Sequence, residues 1–60
     1  MTQDQMIAAL EQIVAEAMAS GVDADEKPII GAKGRQRAKR VTADMLRLIE
    51  KAGFEILPVF

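Results

Sequence analysis

The sequence predicts a mainly α fold: a two-helix hairpin with a short extended C-terminal tail or edge strand, completed by dimerisation. Three observations carry that expectation. Apolar residues recur at helical spacing in two separate segments, a polar stretch with one Pro and two Gly divides them, and five of the last seven residues are large and apolar. The chain is a single small domain over 1–60, with a helix over about 3–20, a loop over 21–34, a second helix over about 35–52 and an extended tail over 54–60.

In the first helix Met6, Ile7, Leu10, Ile13, Val14, Ala17 and Met18 follow the i, i+3, i+4, i+7 pattern of an amphipathic stripe. Thr2 and Gln5 have capping-box spacing, and Asp4 places a negative charge in the first turn, where the helix dipole favours it. At the other end Ser20-Gly21-Val22 predicts a Schellman stop, with Gly21 left-handed and Val22 folded back onto Ala17 or Met18.

The segment Asp23–Gly34 loses the periodicity. Pro28 biases Lys27 toward extended backbone. Ile29 and Ile30 are too short a run for a strand and are expected to tuck against the helices, because burying each is worth about 1.5–3 kcal/mol.

Ala38, Val41, Met45, Leu48, Ile49 and Ala52 form the apolar side of the second helix. Its start has two readings: at the basic stretch near Arg35, or later, with Thr42 as cap and Asp44 in the first turn. Its end is marked by Ala52-Gly53-Phe54, with Lys51 complementing the dipole. Leu10, Ile13, Val14, Met18, Met45, Leu48 and Ile49 are the expected seam. In the tail, Pro58 confines any strand to an edge. A lone apolar edge is an aggregation hazard, so the tail is expected to pair with a second subunit, to cover the hairpin or to anchor a partner.

Composition excludes much chemistry. The chain has no Cys and no His, so disulfides, thiol nucleophiles and nearly every zinc or haem site are absent, and Thr2, Ser20 and Thr42 have no base to activate them. No enzyme activity, cofactor or metal is expected. Gly31-Ala32-Lys33-Gly34 lacks Walker spacing, and Asp23, Asp25 and Glu26 do not make an EF-hand loop. There is no signal-peptide n-region and no apolar run of spanning length, so a cytoplasmic protein that does not enter a membrane is expected.

The formal charge of -1 is a cancellation. Residues 1–26 hold six acids and no base, whereas Lys27 to Lys51 hold eight bases against two acids. Either the acidic helix lies antiparallel to the basic one, within or between subunits, or Lys33, Arg35, Arg37, Lys39 and Arg40 form a footprint for an acidic partner. Nucleic acid is the weaker version of the second reading, since no aromatic is interleaved for stacking and the first helix would repel phosphate.

The segment Val41-Thr42-Ala43-Asp44-Met45-Leu46-Arg47-Leu48-Ile49-Glu50-Lys51-Ala52-Gly53-Phe54-Glu55-Ile56-Leu57-Pro58 resembles the C-terminal part of short accessory proteins of proteobacterial phages and prophages. Those often end in an Ala-rich helix, Ala-Gly-Phe or Ala-Gly-Tyr, a few apolar residues and Pro. The resemblance covers about a third of the chain, which departs from the usual pattern in running only two residues past the Pro. It implies a phage origin and no particular activity; small phage proteins of this kind are commonly antagonists of one host protein, so the expected role is to bind and inhibit a host protein in the host cytoplasm. The expected partner-binding residues are Arg35, Arg37, Lys39, Arg40, Phe54, Leu57, Val59 and Phe60, with self-association into a homodimer. The alternative is a small nucleic-acid-binding regulator using the basic segment 33–40.

Overall fold

The computed structural model describes residues 1–58; Val59 and Phe60, and the expectation that they anchor a partner, lie outside the described residues. Two helices, α1 (Gln3–Ala17) and α2 (Ala32–Lys51), pack against each other as a hairpin. No strand is present among the described residues, only an isolated antiparallel bridge between Val22 and Pro28.

The start of α1 is the expected capping box. Thr2 Oγ1 accepts from the Gln5 amide at 3.1 Å, and Gln5 Oε1 accepts from the Thr2 amide at 2.9 Å. Its end differs: α1 stops at Ala17, three residues before Ser20, and Gly21 is not left-handed. The cause lies downstream. The Gly21 carbonyl accepts from the Ile29 amide at 3.0 Å, which, with the Val22–Pro28 bridge, holds this stretch extended. Val22 therefore stands exposed instead of folding back onto α1.

The loop is a tight hairpin turn. Asp23 donates its amide to the Lys27 carbonyl at 2.9 Å, and its own carbonyl accepts from Glu26 at 3.0 Å. The Asp23 carboxylate accepts from the amides of Asp25 and Lys27, at 2.9 and 3.0 Å. Asp at this position satisfies turn amides with its side chain. Glu26 completes the turn in the left-handed region at φ 62°, where hairpins of this kind favour Gly. The expectation that both isoleucines are tucked fails for one of them: Ile30 is half-buried, while Ile29 is exposed. Successive side chains of extended backbone point to opposite sides, so both cannot face the helices.

α2 begins at Ala32, earlier than either sequence reading, with Gly31 at the cap and the Arg35 amide bonded to the Gly31 carbonyl at 3.0 Å. Lys33 and Gly34 thus belong to the helix and not to the loop. Thr42 is no cap; it sits inside α2, buried against α1. The end of α2 is a Schellman motif as expected. Gly53 has φ +93°, and the amides of Gly53 and Phe54 bond the carbonyls of Glu50 and Ile49, each at 3.0 Å.

The largest correction concerns the seam. Ile13, Met18, Met45 and Leu48 are exposed, and Leu10, Val14 and Ile49 are half-buried. The buried positions are Met6 and Ala15 on α1 and Ala38 and Thr42 on α2, flanked by half-buried Ile7 and Glu11 on α1, Ala19 just beyond it, and Gly34 and Leu46 on α2. Ala15 with Glu11 and Ile7, and Ala38 with Thr42, Gly34 and Leu46, follow i, i+4 rows, the ridges that interdigitate when helices pack. Small residues dominate them, so the two backbones approach closely, and Ala15, Ala38 and Thr42 are buried at the crossing. Larger residues pack toward the open end of the hairpin, where Met6 is buried and Ile7, Leu46 and Ile49 are half-buried.

Candidate partner-binding surface

Helix geometry distributes the bases of α2 over two faces. At 100° per residue, Arg40, Arg47 and Lys51 fall on the side away from α1, and Lys33 and Arg37 lie at the edge of that side, where they line a groove with Ala15, Met18 and Ala19, so that the five form one stripe along the 20-residue helix. Arg35 and Lys39 turn toward α1. Arg35 Nη1 donates to Gln12 Oε1 at 3.2 Å, and the two bases line a shallow groove with Ala8, Glu11, Gln12 and Ala15. The five-residue cluster of the sequence reading is therefore split, and its outward part is extended by Arg47 and Lys51, which the reading left out of the site. Applying the same helical period to the charged residues as to the apolar ones would have found them.

The stripe is largely unneutralised. Among the described residues the single ion pair joins Arg47 Nη2 to Asp44 Oδ1 at 3.1 Å, three residues apart on α2. The acidic helix does lie against the basic one within the chain, although no ion pair joins them among the described residues.

The tail leaves the Schellman turn beside the start of α1. With Gln3, Met6, Ile7, Leu46, Ile49 and Glu50, residues Gly53–Ile56 line a groove of about 510 Å³. Phe54 is 71% exposed and Leu57 65%, so two of the expected anchors are available to solvent at one end of the basic stripe. No group of three His, Cys, Asp or Glu residues that could hold a metal ion occurs among the described residues. No described helix is long and apolar enough to cross a membrane.

No protein-family model matches the chain, and no curated protein or solved structure matches it.

Proposed function

We propose that the chain is a small phage-type accessory protein that binds an acidic surface of a host protein and inhibits it. The outward stripe of α2 supports this reading: five bases share one face, and only Arg47 has an acidic partner among the described residues. Exposed Phe54 and Leu57 add apolar anchors beside it, and desolvated aromatic anchors ringed by polar contacts supply most of the energy of protein interfaces. The phage origin rests on the resemblance of residues 41–58, and a cytoplasmic site of action follows from it.

Affinity capture from a proteobacterial lysate, followed by an activity assay of the retained protein, tests the reading. Wild-type chain is expected to retain one host protein and lower its activity. Arg40→Glu with Arg47→Glu should reduce retention at least tenfold, as should Phe54→Ala. Retention unchanged by both variants overturns the proposed surface.

The same stripe favours a second reading, a nucleic-acid regulator. Five phosphate contacts would make log K fall with log salt at a slope of about −4.5 on duplex DNA. A gel-shift titration that stays flat at low salt eliminates it.

A further inference from the structure

The small-residue crossing leaves an apolar face with a definite position. On α1, Leu10, Ile13 and Ala17 lie within an arc of about 60° that also holds buried Met6, and on α2, Val41, Met45 and Leu48 occupy another arc of about 60°, with Leu10 and Val41 half-buried. No charged residue falls in either arc. The groove shared by Gln12, Glu11, Arg35 and Lys39 marks one side of the hairpin. In an antiparallel pair the two apolar arcs then open together on the opposite side, where Ile13 is 60% and Leu48 58% exposed.

The chain's accessible surface points to how much is missing. Folded monomers follow an area scaling that puts a 6.5 kDa chain at about 3,800 Å². This chain exposes 5049 Å², roughly 1,200 Å² more than that scaling, whereas a stable interface takes about 800 Å² from each partner.

We propose that a second copy of this chain covers the face, related by a two-fold axis parallel to the helices, to give a four-helix dimer. Charge selects that axis. A two-fold axis perpendicular to the helices and lying in the interface would stack acidic α1 on acidic α1 and basic α2 on basic α2. The parallel axis stacks α1 of each subunit on α2 of the other, in antiparallel fashion. It also preserves height along the helices. Within one chain Ile7 shares a groove with Leu46, and Ala19 one with Gly34; these pairs set a register in which Glu16 is level with Arg37. By the 100° step both border the apolar face, so each Glu16, whose carboxylate accepts from Gln12 Nε2 at 3.2 Å within the chain, exchanges that contact for Arg37 of the partner subunit at the rim, twice per dimer. This inference concerns the chain alone and does not rest on the host-binding reading; apart from Arg37 at its edge, the outward stripe of α2 stays uncovered in the dimer.

Sedimentation of the purified full chain at about 10–100 µM tests it, with an expected mass of about 13 kDa, twice the 6.5 kDa chain. The thermal midpoint should also rise with protein concentration. Ile13→Glu with Leu48→Glu is expected to give 6.5 kDa species, and because both positions are exposed in the single chain, any helix lost reports coupling of folding to assembly. Glu16→Arg should weaken the dimer about tenfold through its two rim pairs, and Glu16→Arg with Arg37→Glu should restore it. A wild-type monomer with a concentration-independent midpoint overturns the proposal. So does a dimer that survives the Ile13 and Leu48 changes, or one that the paired charge exchange does not rescue.

Discussion

Replacing Thr42 by Val probes the helix crossing at its most confined point. Thr42 is 1% exposed, and its Oγ1 has no hydrogen-bond partner. Leaving a buried hydroxyl unpaired costs about 1–3 kcal/mol, and Val keeps the branched shape and a similar helix propensity. Thr42→Val is therefore expected to stabilise the fold by about 1–2 kcal/mol. A 60-residue chain unfolds with an entropy of about 0.13 kcal/mol/K, so each kcal/mol raises Tm by about 8 °C. Thr42→Ser supplies the opposite control: it keeps the unpaired hydroxyl and deletes a packed methyl, at a cost of about 1 kcal/mol. Thermal and urea unfolding followed by far-UV circular dichroism, at one fixed protein concentration, should rank the variants Val above Thr above Ser. If Val is the less stable than wild type, the hydroxyl is paired in solution and the crossing is not arranged as described.

Three other substitutions test separate devices of the fold. Gly53→Ala places a Cβ in open space but at φ +93°, so its loss of about 1 kcal/mol, or about 8 °C in Tm, is a backbone effect alone; no loss would exclude the Schellman stop. Glu26→Gly relieves the left-handed conformation at φ 62° and should gain up to about 1 kcal/mol in urea titration, with a loss refuting the turn. Ala38→Leu forces bulk into a position only 1% exposed and should cost about 1–3 kcal/mol, whereas Ile13→Leu on the outer face should change stability far less.

What could be read from the sequence depended on whether the signal was local. The capping box needs only Thr2 and Gln5, and the Schellman stop needs only Gly53 and its neighbours, so both were foreseen. Gly21 offers the same local signal as Gly53 but is overridden by hydrogen bonding to Ile29, a partner eight residues away. The seam failed for a related reason. Hydrophobic periodicity marks where large residues cluster, while the hairpin closes through the smaller Gly34, Ala38, Ala15 and Thr42, which carry almost no hydropathic weight. Part of the expected stripe, Met6, Ile7 and Ile49, does line the groove shared by the helices, whereas Ile13, Met18, Met45 and Leu48 are left exposed. For the candidate site, the basic segment was recognised, but treating residues 33–40 as one patch ignored the 100° step that turns Arg35 and Lys39 toward α1.

The Asp23-centred turn also sets an order of assembly. Ala19 and Gly34 are separated by 15 positions, whereas Ile7 and Leu46 are separated by 39. Closing the longer loop first would cost about 0.9 kcal/mol more chain entropy, and the turn shortens the inner loop further by fixing its tip with side-chain hydrogen bonds. The hairpin is thus built to zip from the turn outward, with the smallest side chains meeting first and the capped start of α1 and the tail arriving last. Such a route needs only local encounters, the circumstance in which small helical proteins fold within microseconds to milliseconds.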